Sequence, residues 1–120
     1  FSPTFVPAPS VEQSIPMSVE IEIQPEAQEQ LAALDQWWRS HRPAAPSLVL
    51  DELDRVIGLL ANNPEIGRKY SHGGLSNIRC LRLRKTPYFI YYHYETGADV
   101  VTIVSAWSGA RQRRPPIKDP

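Results

Sequence analysis

The 120 residues include a single cysteine, a single methionine and only three histidines. Cys80 alone excludes an intramolecular disulfide and points to a reducing compartment. His41 and His72 have no partner at ligand spacing, and one cysteine cannot build a zinc site, so no metal or other cofactor is expected. No apolar run approaches the roughly 18–20 residues that span a bilayer. The first sixteen residues lack the basic start and continuous apolar stretch of a signal peptide. A soluble cytoplasmic protein with no membrane partner is therefore expected. Ser71-His72-Gly73-Gly74 is glycine-rich but lacks the lysine and the strand–helix setting of a phosphate loop. No internal repeat is present. The formal net charge is zero.

That zero hides a polar chain. Residues 1–63 carry three basic side chains (Arg39, Arg42 and Arg55) against nine carboxylates, a net of −6. Residues 64–120 carry ten Lys/Arg against Glu65, Glu95, Asp99 and Asp119, a net of +6. Within the second half, Ile78 to Arg114 reads as strand-like segments rich in arginine and aromatics. A basic, aromatic, β-rich half suits an acidic partner, either nucleic acid or an acidic protein surface.

The length suits one domain with a tail, and about 100 patterned residues suffice for a two-layer core. Pro3, Pro7, Pro9 and Pro16 prevent a helix or central strand from running through residues 1–16. That stretch is expected to be an extended arm, or an extension upstream of a natural start at Met17. Val19-Glu20-Ile21-Glu22-Ile23 alternates as a half-buried strand does. Pro25 fits the first turn of a following helix, on which Ala27, Leu31, Leu34 and Trp38 form one apolar stripe. That helix should end near His41-Arg42-Pro43. A second helix is expected from about Pro46 to the stop at Asn62-Asn63-Pro64. Its short connection to the first implies an antiparallel hairpin. Residues 65–77 read as irregular. Three strands follow, near Asn77–Arg84, Tyr88–Tyr94 and Val100–Trp107, joined by turns short enough for antiparallel pairing. The expected fold is α+β in the order β-α-α-β-β-β, with the helical hairpin on one face of a small, mainly antiparallel sheet.

This order, with these residues, resembles the RelE/ParE superfamily of bacterial type II toxins, and ParE more closely. The matching pieces are VEIEIQPEAQEQLAAL, the Asn62-Asn63-Pro64 stop followed by Ile66-Gly67-Arg68, and the basic strand IRCLRLR. Pro87-Tyr88-Phe89-Ile90-Tyr91-Tyr92 and Val101-Thr102-Ile103-Val104 with Gly109-Ala110-Arg111 complete the match. The resemblance implies a toxin domain over 17–114 and a short tail over 115–120. RelE-like members cut mRNA in the ribosomal A site. ParE-like members inhibit DNA gyrase, and no nuclease chemistry is attributed to them. Both are neutralised by a cognate antitoxin, so an antitoxin partner is implied, with growth inhibition and plasmid stabilisation as outcomes. Whether the chain forms a homodimer or only a hetero-oligomer with its antitoxin stays open.

Metal-independent RNA cleavage needs a general base, a general acid and fixed cations around the phosphorane. Arg79, Arg82, Arg84, Lys85 and Arg111 could supply charge, and His93, Tyr91 or Tyr94 could move protons. If the chain is a nuclease, Arg82, Arg84, His93 and Arg111 are the expected catalytic set. Strand alternation with Leu81, Leu83, Ile90 and Tyr92 inward would put Arg82, Arg84, Phe89, Tyr91 and His93 on the open face. A register slip of one residue would invert that assignment. Many family members carry a histidine where this chain has Ser108, and serine is no proton shuttle near neutral pH. The expected target-binding surface is Arg79, Arg82, Arg84, Lys85, Tyr91, Trp107 and Arg111. The antitoxin is expected to meet Trp37, Trp38, Arg82 and Arg84. Gyrase inhibition by protein binding is the leading expectation. The alternatives are a ribosome-dependent mRNA endonuclease, or a non-toxic member that only binds its antitoxin.

Overall fold

In the computed structural model, residues 19–72 and 75–109 are described, without the side chains at 71, 72, 75 and 76. The expectations for residues 1–18, Arg111 and the 115–120 tail lie outside the described residues. The elements are β1 (Glu20–Ile23), α1 (Pro25–His41), α2 (Leu48–Asn62), β2 (Arg68–His72), β3 (Leu75–Arg82), β4 (Tyr88–Glu95) and β5 (Val100–Ser108). They form an α+β fold with two helices on one face of a five-stranded sheet ordered β1-β5-β4-β3-β2. β1 runs parallel to β5, and every other pairing is antiparallel.

Helix α1 starts at Pro25, whose missing N–H falls where a helix leaves its donors unpaired anyway. Its stripe Ala27, Leu31, Leu34 and Trp38 is buried as the spacing predicts. Trp38 reaches the loop beyond the helix, where its indole Nε1–H donates to Ala45 O at 2.8 Å. Arg42 N–H closes the last turn on Trp38 O. α2 begins at Leu48, two residues after the expected Pro46, because Arg42–Leu48 is used up in turns. It buries Val49, Val56 and Leu60. These faces meet Leu83, Tyr88, Ile90, Tyr92, Val101, Ile103 and Ala106 from the sheet.

The opposite sheet face is not a bare polar surface. Ile78, Cys80, Tyr91, Val104 and Trp107 form a second buried cluster there, with Tyr70 and Phe89 against it. The central strand β4 is therefore apolar on both faces. Where β4 and β5 slip register after Tyr91, Gln30 Oε1 of α1 accepts both Ala106 N–H at 2.8 Å and Ser105 Oγ–H at 3.1 Å. A bulge disturbs the ladder and leaves a donor to be satisfied, and the helix side chain does so here.

Residues 65–77, expected to be irregular, contribute a whole edge strand and the start of β3. Arg68 pairs with Cys80, Lys69 with Arg79 and Tyr70 with Ile78. The strand lacks a hydrophobic alternation because it lies at the sheet edge, where long polar side chains are tolerated on both faces. Its entry is fixed at Gly67. The Gly67 N–H donates to the fully buried Tyr92 hydroxyl at 2.8 Å, and Gly67 O accepts from Arg79 at 2.8 Å. A Cβ on Gly67 would sit 2.6 Å from the Tyr92 hydroxyl oxygen and 2.8 Å from Cys80 O. Gly67→Ala is therefore expected to lower the urea midpoint at unchanged slope, with a loss of roughly 1–3 kcal/mol. Tyr92→Phe, which orphans the buried N–H, is expected to lose a similar ~1–3 kcal/mol. The double variant should lose less than the sum, because removing the hydroxyl opens part of the space the methyl needs. Strictly additive losses would show that the two residues do not share this contact.

Candidate functional site

The cationic residues divide by strand parity into two groups on opposite faces. Arg68 pairs with Cys80, and Arg82 pairs with Phe89, so both point to the face away from the helices. His93 pairs with Ile78 on that same face. Arg79 pairs with Tyr92 and Lys69 pairs with Arg79, so these two belong to the helix side, near the β2 edge. The expected cluster of Arg79 with Arg82 is thus split. Arg79 and Arg82 are three positions apart, and side chains an odd number of positions apart along a strand point to opposite faces.

Each guanidinium is already held. Arg79 donates to Glu65 O at 3.1 Å and to Gly67 O, bracing the entry to β2. Arg82 Nε donates to Thr86 O at 2.8 Å across the β3–β4 turn. Thr86 itself is buried, with its hydroxyl donating to Leu83 O and accepting from Tyr88 N–H. Lys85 is exposed in this turn with φ 67°, a left-handed conformation that costs a non-glycine residue some strain. Arg68 lies against the Cys80 thiol, which burial pushes up and the guanidinium partly restores.

Arg84 departs from its expected place. β3 ends at Arg82, and the chain then turns toward α2, so Arg84 no longer extends the row of Arg82. Its backbone N–H donates to Glu52 Oε1 at 2.9 Å, and its guanidinium Nε lies 3.6 Å from the same oxygen. Arg55 Nε donates to that oxygen too, at 2.9 Å. Burial works to raise the Glu52 carboxyl. The hydrogen bond and charge of Arg55, followed by the Arg84 N–H and guanidinium, outweigh it and hold the group below its ordinary 4.5. The Arg84 side chain is 65% exposed, so its own charge adds little and the backbone bond does more. Glu52 was not among the sequence candidates. A carboxylate on the buried side of an amphipathic helix was the signal that could have revealed it.

The aromatic candidates are less open than the alternation suggests. Tyr91 and Trp107 face away from the helices but are buried in the second cluster, so neither offers a free ring to a partner. Tyr91 packs edge-on against Tyr70, with centroids 5.0 Å apart. Its phenol is pushed up to about 12, first by burial, then by Cys80 and Tyr70. The Tyr94 phenol is also raised, because its hydroxyl donates to Asp99 at 2.9 Å and burial adds to the effect. His93 Nδ1 lies 3.2 Å from Asn77 O and donates to it in the tautomer protonated there. Asn77 has φ 63°, a conformation asparagine tolerates better than most residues.

The adjacent tryptophans also part company. Trp38 is a core residue packed edge-on against Tyr88. Trp37 is 45% exposed and stacks on His41, with ring centroids 4.1 Å apart and planes 8° from parallel. The Arg42 guanidinium carbon lies 5.8 Å from both indole rings, within cation–π range.

Among the described residues no group of His, Cys, Asp and Glu is placed to hold a metal ion. No described helix is long and apolar enough to cross a membrane. The described cations thus lie on both faces of the sheet, with Arg79 and Arg82 held by backbone carbonyls. Arg68, on the face away from the helices, and Lys69, on the helix side, were missed in the sequence, although Arg-Lys-Tyr-Ser-His before Gly73-Gly74 carries a hairpin-like turn signal.

A family model for the ParE toxin of type II toxin–antitoxin systems, parDE, matches residues 21–113. No curated protein matches the chain. Among solved structures, one similar fold is in the chromosomal ParDE toxin–antitoxin system of P. aeruginosa. That pair shares 12% identity and a TM-score of 0.61 over 77% of this chain and 97% of the other. Another is in the RelBE2 toxin–antitoxin complex of Mycobacterium tuberculosis, at 17% identity and TM-score 0.58 over 78% and 94%. The isolated E. coli RelE toxin shares 16% identity and a TM-score of 0.57 over 80% and 89%. At these identities the structural likeness concerns the fold.

The Glu52 arrangement makes a pH-dependent prediction. Because its folded pKa is depressed, the stability it contributes is present above its unfolded value of 4.5 and is lost as pH falls through the folded pKa. Glu52→Gln should therefore cost on the order of 1–3 kcal/mol at neutral pH. The gap from the parent should close as pH falls through the folded pKa, which lies below 4.5. Urea melts across that range would read it, and a gap independent of pH would mean that charge plays no part.

Proposed function

The chain belongs to the ParE toxin family of type II toxin–antitoxin systems, and we propose that it inhibits DNA gyrase by protein binding and is neutralised by a cognate antitoxin. The observation that carries this reading is the state of two of the three side chains that could move protons, the phenols of Tyr91 and Tyr94. The Tyr91 phenol is buried and pushed up to about 12, and the Tyr94 phenol is committed to Asp99. Ser108 stands where many members of the family carry a histidine, and a serine cannot shuttle a proton near neutral pH. Phenols this weakly acidic are poorly matched to proton transfer near neutral pH. Fixed, exposed cations such as Arg68, Arg82 and Lys85 remain well suited to recognising an acidic protein surface. Exposed Trp37, stacked on His41, supports an antitoxin contact on the helical side, since aromatic anchors recur at interfaces.

A ribosome-dependent mRNA endonuclease is the second reading. It is favoured by one observation, that Arg68, Arg82 and His93 share the face away from the helices. The two readings separate cleanly. Purified protein at saturating concentration is expected to abolish gyrase supercoiling or to trap its cleavage complex. Unchanged supercoiling with no trapped complex would sink the gyrase reading. Codon-positioned cuts in translated mRNA, lost in Arg82→Ala or Arg111→Ala, would establish the nuclease instead. Normal growth on overexpression without antitoxin would leave a member that only binds its antitoxin.

A further inference from the structure

We propose that a cleft beside β2 binds a small phosphate monoester whose body carries hydroxyl groups, of the sugar-phosphate or nucleotide class. The cleft holds about 440 Å³, within the range of small-ligand sites. It lies where Lys69 of β2, Asn77 and Arg79 of β3 and Tyr94 of β4 meet Glu65 and Thr96. Its two cations are not those of the opposite face, because Lys69 and Arg79 belong to the helix side of the sheet and Arg68 and Arg82 do not.

Register puts these two cations in conflict. Lys69 and Arg79 are direct partners in the β2–β3 ladder, so their side chains stand next to each other on one face. Like charges directly opposite each other destabilise a strand pair. Among the described residues no carboxylate lies within ion-pair distance of either. Arg79 is nevertheless fixed in place, since its Nη1 donates to Glu65 O at 3.1 Å and to Gly67 O at 2.8 Å. The donors on its Nε and Nη2 have no partner among the described residues. A guanidinium held by one nitrogen is a pre-organised anchor for phosphate oxygens. Exposed Lys69 supplies the second charge from a flexible stem.

Two adjacent cations are best matched by a compact double negative charge. A phosphate monoester carries about −1.5 to −2 at neutral pH. Each internal phosphate of a nucleic acid carries a single charge. Glu65 sets the other end of the cleft. The Tyr94 phenol, raised first by its bond to Asp99, is raised further by the Glu65 charge, so that carboxylate acts on the β4 side. There it would repel a second phosphate and accept hydrogen bonds from hydroxyls. Thr96 and the exposed Asn77, whose backbone is held at φ 63°, add polar groups beside it. A bare phosphate would use the cations alone, and an RNA strand would bring further phosphates toward Glu65. The lining therefore suits a ligand with one dianionic end and one hydroxyl-bearing end. This inference holds whichever cellular target the toxin acts on.

The test is calorimetric titration of the purified full chain at low salt with ribose phosphate, adenosine monophosphate, inorganic phosphate and ribose. The two esters are expected to bind saturably and more tightly than inorganic phosphate, and ribose is expected not to bind. Whichever ester binds better identifies the class. Lys69→Gln should weaken both by about tenfold, the loss of one charge-assisted contact. Glu65→Ala keeps the carbonyl that holds Arg79 and should erase the preference for the esters over inorganic phosphate. Arg39→Gln, which removes an equal charge from α1, should change nothing. The proposal is overturned if neither ester binds saturably at millimolar concentration, or if inorganic phosphate binds the parent chain as tightly. Unchanged binding in Lys69→Gln, or an equal loss in Arg39→Gln, would overturn it too. So would binding of an oligouridylate in place of the esters. No gyrase enters this assay, so its outcome is independent of the supercoiling test.

Discussion

One buried hydroxyl sets the layout of the basic half of this protein. Tyr92 comes up from the helix-side core to accept the Gly67 N–H, and Arg79 takes the Gly67 carbonyl from the same direction. The backbone at Gly67 is thereby anchored through both its polar groups, with no room for a side chain. That anchor determines where β2 joins the sheet. Parity does the rest, since a shift of one residue would turn Arg68 toward the helices and Lys69 away from them. The division of cations between the two faces thus depends on a contact between an aromatic core residue and a glycine twenty-five positions earlier.

The two-sided burial of β4 has a second consequence. Two helices can cover only one face of a five-stranded sheet, so the other must cover itself or stay wet. Here Tyr91, Trp107, Cys80, Ile78 and Val104 pack on one another. They turn what would have been an aromatic platform into a small core rimmed by arginines. A surface of this kind recognises through its rim charges and its backbone edge, and much less through stacking on exposed rings. The same layout sets Arg68 and Arg82 apart from Arg79 and Arg84. The last two serve the β2 entry and the α2 tether respectively.

Much of this was legible along the chain. The α1 stripe from Ala27 to Trp38 follows from spacing, because burial on one face imposes a period on the sequence, and the Asn62-Asn63-Pro64 stop follows from its residue types. Alternation left two ways to face β3 and β4, and only the resemblance favoured Ile90 and Tyr92 inward. The two halves of opposite charge are composition alone. Edge strand β2 was not legible, since only Tyr70 of its described side chains packs against a core cluster and one apolar position displays no period. The burial of Tyr91 and Trp107 was hidden for a related reason. Alternation says which face a side chain takes, but not whether that face is covered.

The sequence by itself thus determined the first strand, the two helices and the last three strands in their order, the α1 core stripe and the presence of a cationic second half, each being a local pattern or a count. Only the tertiary structure decided which cations share a face. It also bound Glu52 to the Arg84 amide. These depend on register between segments distant in the chain. Register is set by long-range contacts such as Tyr92 with Gly67, which leave no periodic trace in the sequence.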